Sequence, residues 1–331
     1  MNNKFDELTK SVAQSVTRHA ALKKFGVGFA GLALACFGLA NPAKAGAPAF
    51  TMLDVPGAVF TAAADINASG QITGWYIDPS GAFHGFILNN GNYSSIAFPG
   101  AVHTSGLGIN ANGDIVGAYN FKDVGLEKDV HGYLLRNGVF TSIDVPGAAE
   151  TRAIGINRAG DIVGVYLDQQ QGKHRGFLLS GGVFISIDFP GSAYTDVWKI
   201  NDSALIVGRY QSSGNEKFHL FLLSGGNFIA IGDFAEAAQM SPTSVCSHHS
   251  GLNGAGDIVT AYADDTPVQK NNFNANMLGN LHGLLLSGGV YTPLDFPSAI
   301  ATVAFGINDG GHIVGSYQDA GGRFHGYVRT P

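Results

Sequence analysis

Residues 151–189 read TRAIGINRAGDIVGVYLDQQQGKHRGFLLSGGVFISIDF, and variants of this unit recur six times along the chain. The unit carries an Ile/Leu-Asn marker, which falls at Asn67, Asn110, Asn157, Asn201, Asn253 and Asn308. Successive markers are 43 residues apart at the closest (67 to 110) and 55 at the widest (253 to 308). This spacing is typical of propeller blades rather than of helical solenoids. The sequence therefore predicts a repeat protein.

Each repeat divides into four short apolar segments separated by turn residues, which we name strands A, B, C and D. In the third repeat they are residues 153–156, 161–167, 176–180 and 183–189. The A–B and C–D connections contain Gly160 and Gly182, where a tight hairpin needs positive φ. Both faces of strand B are apolar or small, as expected for a sheet packed between two others. We expect an antiparallel meander in each repeat.

The two ends of the repeat array complement each other. Residues 50–57 form a D segment with no A, B or C before it, whereas the last repeat, residues 302–328, has A, B and C but no D. An N-terminal strand that completes the last blade would close a ring and hide two sheet edges. The predicted fold is therefore an all-β, six-bladed β-propeller with four-stranded blades, closed in this way. A β-solenoid would need no such offset and is less favoured.

Residues 1–45 lie outside the repeats and are predicted to be a cleavable export signal. A basic stretch ends at Lys24, an apolar run spans residues 25–40, and residues 42–45 offer a small-x-small cleavage site before Gly46. The apolar run is interrupted by glycines and is shorter than the roughly 20 apolar residues of a membrane-spanning helix, so we expect cleavage rather than anchoring. Residues 17–23 are similar to a twin-arginine signal, with His19 in place of the second arginine; general secretion is the other route. Lipidation at Cys36 is a less favoured alternative.

Cleavage at this site would leave residues 46–331 as a single propeller domain with 13 Lys/Arg and 23 Asp/Glu. This acidic balance argues against nucleic acid and anionic membrane surfaces as partners. Cys246 is then the only cysteine, which excludes an internal disulfide. We expect a periplasmic or extracellular monomer, held together by packing and not inserted in a membrane.

The Ile-Asn-x-x-Gly-Asp-Ile-Val-Gly and His-Gly-Phe-Leu-Leu segments resemble the bacterial extracellular HAF repeats, which are named for a His-Ala-Phe tripeptide. The likeness covers nearly all of residues 50–331. Here the tripeptide reads His84-Gly85-Phe86 in the first repeat, with Gly again in the second, fifth and sixth. The third repeat has His174-Arg175-Gly176-Phe177 and the fourth has His219-Leu220-Phe221. The resemblance implies export and a propeller-like fold, and it implies no particular activity.

A polar set recurs at the start of strand A, the end of strand B and the start of strand C, which meet at one end of a meander. Its members are Thr61, Thr104, Thr151, Thr195, Ser247 and Thr302 in strand A; Asp78, Asp168, Asp264 and Asp319 after strand B; and His84, His131, His219, His282 and His325 in strand C. We interpret the set as a structural hydrogen-bond network that sets register in each blade. A ring of histidines binding metal is disfavoured, because the sites would be too far apart to share one ion.

The fifth repeat departs most from the unit, and departures from a repeat are where a specific function would lie. Its D–A connection, residues 235–250, and its B–C connection, residues 263–281, are both long, as is the second-repeat loop 120–130. D–A and B–C connections emerge on the same end of a blade, so these loops are expected to share one face. A surface insertion without function is the alternative. The predicted binding residues on this face are Cys246, His248, His249, Asp264, Asp265, Phe273 and Met277.

The sequence contains no recognisable catalytic, metal-binding or cofactor-binding motif. Our leading hypothesis is an exported, non-enzymatic binding or scaffold propeller that presents this loop face to a protein or a glycan, with no cofactor. The alternative is a propeller hydrolase or lyase with its site at the channel mouth on the same face. Several Asp, His or Tyr from different blades lining one pocket would favour the enzyme, whereas exposed aromatic side chains on a shallow face would favour binding.

Overall fold

A computed structural model describes residues 48–122, 128–214, 218–231, 244–245, 250–263 and 281–331. Every regular element in these ranges is a β-strand. The predicted export signal lies outside them. Within them, no helix has the length and apolar character needed to cross a bilayer.

The strands follow the four segments of each repeat. Before the first repeat comes β1 (Ala49–Leu53). Repeats one to three form β2 (Phe60–Ile66), β3 (Ile72–Ile77), β4 (Phe83–Asn89), β5 (Asn92–Ile96), β6 (His103–Ile109), β7 (Ile115–Asn120), β8 (His131–Arg136), β9 (Val139–Ile143), β10 (Ala148–Ile156), β11 (Ile162–Asp168), β12 (Lys173–Ser180) and β13 (Val183–Ile187). Repeats four to six form β14 (Ser192–Ile200), β15 (Ile206–Ser212), β16 (Phe218–Ser224), β17 (Asn227–Ala230), β18 (Ser244–Val245), β19 (Gly251–Leu252), β20 (Ile258–Ala263), β21 (Leu281–Ser287), β22 (Val290–Pro293), β23 (Ala301–Ile307), β24 (Ile313–Gln318) and β25 (Phe324–Thr330).

Consecutive strands of a repeat pair in antiparallel order, which confirms the predicted meander. The sheets run β6-β7-β8-β9, β10-β11-β12-β13 and β14-β15-β16-β17; in the fifth repeat, β18 and β19 share the strand A position beside β20. The C–D hairpins carry two successive residues with positive φ, such as Asn137 at 51° and Gly138 at 78°. This geometry belongs to the tight turn that matches the twist of the paired strands.

The last and first repeats are joined. Strand β1 pairs antiparallel with β25 over its whole length, from Ala49↔Thr330 to Leu53↔Gly326. One parallel bridge, Phe60↔Phe324, connects β25 to β2, so that the two repeats form one eight-stranded sheet. The protein is an all-β propeller with four-stranded blades.

The asparagine marker holds its own turn and reaches the next blade. The Asn110 Oδ1 accepts the backbone N–H groups of Asn112 and Asp114 at 3.0 and 2.9 Å. Its Nδ2 donates to the carbonyl of Asn157, the next marker, at 3.0 Å. The same bond joins Asn67 to Asn110, Asn201 to Asn253 and Asn308 to Asn67. An aspartate or a leucine at this position would lose the donor, which explains why asparagine recurs.

Strand A carries a bulge near its end, and the bulge explains the glycine inside strand B. In the second repeat the register shifts around Leu107, which has no cross-strand partner. A Cβ on Gly117 would lie 1.9 Å from the Ser105 carbonyl oxygen and 2.7 Å from the Tyr133 ring, so no side chain fits there. The fifth repeat has Thr260 at this position, next to a strand A that is divided into β18 and β19.

The core lies between blades rather than inside any one of them. Ile96 of the first repeat shares a buried cluster with Ile109, Ile115 and Tyr133 of the second. Val163 of the third repeat packs in the same way with Val197 of the fourth. Both faces of each inner strand are therefore covered by a neighbouring sheet, as the apolar pattern of strand B predicted.

Candidate functional site

The histidines that open strand C contact carboxylates at the loop end of their blades. His84 Nε2 lies 2.8 Å from Asp78 Oδ2, so the structure brings these two predicted residues together. His325 lies between two aspartates, with Nε2 3.2 Å from Asp319 Oδ2 and Nδ1 2.8 Å from Asp54 Oδ2. Hydrogen bonds from Ser80 and His84 hold the pKa of Asp78 well below its usual range. The backbone amide of Arg323 and the ring of His325 lower the pKa of Asp319 in the same way.

The second carboxylate comes from strand D, and sequence reasoning missed it. His131 Nδ1 contacts Asp144 Oδ1 at 2.8 Å, and His282 Nδ1 contacts Asp295 Oδ2 at 3.0 Å. Both aspartates belong to the recurring Ile/Leu-Asp-x-Pro-Gly or Leu-Asp-x-Pro-Ser segment at the end of strand D. The repeat pattern assigns this segment to strand D and gives its aspartate no role.

Arginine replaces histidine in the third repeat. Arg175, not His174, pairs with Tyr166 across strands B and C, in the register that Tyr76 and His84 share in the first repeat. Its guanidinium contacts Asp188 in strand D through Nη1, and its Nε lies 3.4 Å from Asp168. A cation between the two carboxylates thus has the role that the imidazole of His325 has in the sixth repeat.

The recurring threonines bind the D–A turn, at a different place in the blade from the contacts of the histidines. Each hydroxyl accepts a hydrogen bond from the backbone amide six residues before it, in the D–A turn. The pairs are Val55 N to Thr61, Phe98 N to Thr104, Val145 N to Thr151, Phe189 N to Thr195 and Phe296 N to Thr302, at 3.0 to 3.2 Å. Because strand D belongs to the preceding blade, the hydroxyl fixes the crossing between two blades.

Aromatic stacks cross the same boundary. Phe98, at the end of strand D in the first repeat, stacks on Tyr119 of the second at a centroid distance of 3.6 Å, and Tyr119 stacks on His131 at 5.3 Å. Phe296, Tyr317 and His325 repeat this arrangement at 3.7 and 5.0 Å. The side chains shared by the repeats are therefore engaged in packing one blade on the next.

The positions that differ between repeats surround the start of strand A, and we call this region the mouth. They are the residues seven and five places before the marker asparagine and the residue just before the strand C histidine or Arg175. Seven places before the marker stand Phe60, His103, Glu150, Tyr194 and Ala301; five places before it stand Ala62, Ser105, Arg152, Asp196 and Val303. The fifth-repeat counterparts, Cys246 and His248, lie outside the described residues. Just before the strand C residue stand Phe83, Val130, His174, Phe218, Leu281 and Phe324.

On the first and sixth blades the mouth is aromatic. Phe60 packs on Phe324 at a centroid distance of 5.1 Å and on Trp75 at 6.5 Å, and Trp75 lies 5.8 Å from Phe305. Phe60, Trp75 and Phe324 are half-buried, whereas Phe305 is buried. We call Phe60, Trp75 and Phe324 the aromatic arc, and Phe305 is the buried bulge residue of the sixth repeat, behind Trp75.

On the third and fourth blades the mouth is charged. Arg152 Nη1 lies 3.2 Å from Glu150 Oε2, and Arg209 contacts the Asp196 Oδ2 through Nε and Nη2, both at 3.0 Å. We call these four residues the charged arc. The Arg209 guanidinium also lies over the ring of Phe218, 4.0 Å from its centroid, so the cation is held by a carboxylate and an aromatic face.

His174 and Tyr194 lie beside the charged arc. Their rings stack across the boundary between the third and fourth blades at 4.8 Å. Burial lowers the pKa of His174, and the Asp196 carboxylate acts on it in the opposite direction. Burial raises the pKa of Tyr194, because it disfavours the charged form of a phenol as it does that of an imidazole.

Beneath the mouth, side chains from several blades meet at the centre of the propeller. Two residues before the marker, four repeats have glycine, but the first has Asp65 and the fourth has Lys199. Lys199 Nζ lies 2.6 Å from Asp65 Oδ2, and this carboxylate oxygen also accepts the backbone N–H of Ile109 at 2.9 Å. The bulge residues Leu107, Ile154 and Trp198 of three blades share one buried cluster. The central channel is filled at this level.

The predicted loop-face residues Cys246, His248, His249, Asp264, Asp265, Phe273 and Met277 lie outside the described residues, as does Ser247. His219 is described and packs on Tyr210 at 5.4 Å. In the described part of the chain, no three His, Cys, Asp or Glu side chains converge in an arrangement able to hold a metal ion.

No family model and no curated protein matches this chain. Among solved structures, the chain is similar to a putative TolB from Agrobacterium tumefaciens, at 14% identity and a TM-score of 0.51 over 82% of this chain and 90% of that one. It is also similar to an arginine-substituted variant of AofleA from Arthrobotrys oligospora, at 12% identity and a TM-score of 0.50 over 85% and 86%. A third similar structure is virginiamycin B lyase from Staphylococcus aureus, at 11% identity and a TM-score of 0.47 over 86% and 99%. At these identities the likeness to the first two structures shows the propeller fold alone.

Proposed function

We propose that this protein is an exported binding or scaffold propeller of HAF-like repeats, which presents its mouth and loop face to a protein or a glycan. It has six blades, closed into a ring by the N-terminal strand. The pairing of β1 with β25 supports this closure, as does the hydrogen bond from Asn308 Nδ2 to the Asn67 carbonyl at 3.0 Å. The strand pairing completes the last blade, and the asparagine bond joins the last repeat to the first as it joins Asn67 to Asn110 and Asn110 to Asn157.

The observation that carries the proposal is the contrast between the shared positions and the mouth. The shared Thr, Tyr, His and Asn side chains are engaged in contacts within and between blades. Seven places before the marker, by contrast, each described blade presents a different side chain: Phe60, His103, Glu150, Tyr194 or Ala301. A position with a structural role is expected to carry the same residue type in every blade. A recognition surface, by contrast, needs a different chemical group at each point of contact with its ligand.

A hydrolase or lyase with its site at the same mouth is the second candidate. The observation that favours it is the approach of His174 to Glu150, Arg152, Asp196 and Arg209, whose charges all act on its pKa. Acid–base catalysis uses such groupings of titratable side chains from different strands. Half-buried aromatic rings in the aromatic arc favour binding over catalysis.

Export and binding can be tested together. The full chain is expressed in a bacterial host, and the periplasmic and culture fractions are examined for a protein whose N-terminus is Gly46. The processed protein is then immobilised to capture partners from the same fractions and to screen glycans. We expect export and capture; retention in the cytoplasm with residues 1–45 intact would contradict export.

Two variants locate the binding face. Phe60→Ser changes the mouth, whereas Val139→Ser changes a side chain that is 65% exposed at the start of strand D, at the opposite end of its blade. We expect capture to be lost with Phe60→Ser and kept with Val139→Ser, provided that both variants melt as one folded species. A partner retained by Phe60→Ser and lost by Val139→Ser would place function elsewhere. Turnover of a screened compound that depends on His174 would favour the enzyme.

A further inference from the structure

We propose that the mouth binds the end of an uncharged saccharide, with the aromatic arc packed on the apolar face of a sugar ring and the Glu150–Arg152 ion pair hydrogen-bonded to hydroxyls of the saccharide. This inference rests on the proposed binding function and names the class of ligand. It depends on the charge balance of the mouth, on the chemistry of its polar groups and on the filled channel below.

The described part of the mouth carries charges that balance one another. Its two described cations, Arg152 and Arg209, are each paired with a carboxylate, Glu150 and Asp196. Burial lowers the pKa of His174, which favours its neutral form at pH 7. Among these described residues, a phosphate, a sulfate or a uronate would meet as many carboxylates as guanidinium groups, so they offer an ionic ligand no electrostatic advantage.

The Glu150–Arg152 ion pair presents an acceptor beside a donor, whereas the Asp196–Arg209 pair is buried, with 5% and 4% of its side chains exposed. Glu150 and Arg152 are 3.2 Å apart, and their side chains keep 14% and 23% of their surface exposed, so that both remain within reach of a ligand. A carboxylate only accepts and a guanidinium only donates hydrogen bonds. A pair of neighbouring sugar hydroxyls both donates and accepts, and therefore complements such a pair of side chains. Hydrogen bonds to charged groups are also the stronger ones.

The aromatic arc supplies the other half of a saccharide site. The faces of aromatic rings carry partial negative charge, which attracts the weakly positive C–H groups of a sugar ring. Trp75 and Phe324 both pack on Phe60, and all three rings are half-buried, so that their orientation is set before a ligand arrives. Rigid, preorganised rings lower the entropic cost of binding.

The filled channel limits how far a ligand can enter. Below the mouth, the Asp65–Lys199 ion pair and the Leu107, Ile154 and Trp198 cluster occupy the centre. A glycan chain cannot thread through the ring at this level. The site is therefore expected to select a chain end or a short oligosaccharide over the interior of a long polymer.

The test is a binding screen of the processed, full-length domain against an array of uncharged hexose, deoxyhexose and N-acetylhexosamine oligosaccharides, with sulfated and uronate-bearing counterparts. Hits are measured by titration calorimetry at two salt concentrations. We expect uncharged hits whose affinity changes little with salt, and chain ends bound better than internal segments. Binding confined to sulfated or uronate-bearing glycans would overturn the proposal.

Three variants assign a hit to the mouth. Glu150→Gln removes the carboxylate with little change of shape, and Phe60→Leu removes the ring but keeps an apolar side chain. Each should weaken binding at least about tenfold, as expected for one lost charged hydrogen bond or stacking contact. Val139→Ser, at the opposite end of its blade, should bind as the parent does. Melting curves establish that each variant is folded.

The outcomes separate this inference from the proposed function. If Phe60→Leu and Glu150→Gln both still bind the uncharged saccharide as the parent does, the saccharide site does not lie at the mouth and this inference is wrong. Capture of a protein partner through Phe60, with no saccharide bound, overturns the inference and leaves the binding function standing. If Phe60 and Glu150 affect neither kind of ligand, both proposals fail.

Discussion

Lys199 and Asp65 meet across the centre of the propeller, with Nζ and Oδ2 2.6 Å apart, although they lie in strand A of the fourth and first repeats. Both side chains are buried. The other four repeats have glycine at this position. The two repeats that differ carry opposite charges here, and these two charges form an ion pair in the fold. A carboxylate that also binds the backbone amide of Ile109 links three blades through one group.

We expect this ion pair to show strong coupling in a double-mutant cycle. Asp65→Gly or Lys199→Gly alone leaves a buried charge without its partner, which costs on the order of 3 kcal/mol of unfolding free energy. The double variant has the glycine of the other repeats at both places and should lose less than the sum of the single losses. Denaturant unfolding of the four proteins measures this coupling. Additive losses would mean that the two charges contribute independently.

The strand C histidines should differ in their contribution to stability. His325 has 9% of its side chain exposed and contacts two aspartates, whereas His131 has 40% exposed and contacts Asp144. We expect His325→Ala to cost about 1 to 3 kcal/mol, because it removes a partner from buried hydrogen bonds. His131→Ala should cost less, since solvent screens its pair.

Neither histidine variant is expected to alter ligand binding. Thermal melting and the binding screen measure the two effects separately. Stoichiometric metal binding by the parent protein that disappears in both variants would show that these histidines are ligands rather than structural groups.

Deleting residues 50–57 should lower the melting temperature sharply. The deletion removes most of β1 and exposes the edge of β25, with its unpaired backbone N–H and C=O groups. Deleting residues 46–48, which precede β1, serves as the control and should leave the melting curve unchanged. Equal melting temperatures for the two deletions would contradict closure of the ring by this strand.

Acidification should destabilise the parent protein partly through His174. Burial lowers the pKa of this histidine from its ordinary 6.5, so below that pH the unfolded chain takes up a proton that the folded protein resists. The neutral ring therefore contributes fully to the stability of the folded protein above pH 6.5. This contribution is lost as the pH falls from 6.5 towards the pKa of His174 in the folded protein. The facing charges are Asp196, Arg152, Glu150 and Arg209.

His174→Gln should therefore flatten the fall in melting temperature between pH 7 and pH 5. The other histidines are unchanged in this variant, so the difference between the two pH profiles isolates one residue. Parallel profiles would show that protonation of His174 does not oppose folding.

The recurring polar set was only partly foreseeable. Strand order places the start of strand C next to the end of strand B, so the contact of His84 with Asp78 could be anticipated. The contact of His131 with Asp144 could not, because the register of strand D against strand C is not visible in a repeat pattern. Arg175 was overlooked for a similar reason: His174 matched the motif by type, while cross-strand register assigns the position to its neighbour.

The strands, the hairpins and the four-stranded blade could be predicted from the repeat pattern, and the structure confirms each. Alternating apolar residues and glycines with positive φ act over a few neighbouring positions, so their effect can be read locally. The sets of side chains that come together at the centre and at the mouth could not be predicted in this way, because each set comes from more than one blade. The pairing of Asp65 with Lys199 and the grouping of Glu150, Arg152, Asp196 and Arg209 depend on how far each blade is rotated against the next. That rotation is set by packing between sheets, through contacts that no single repeat contains.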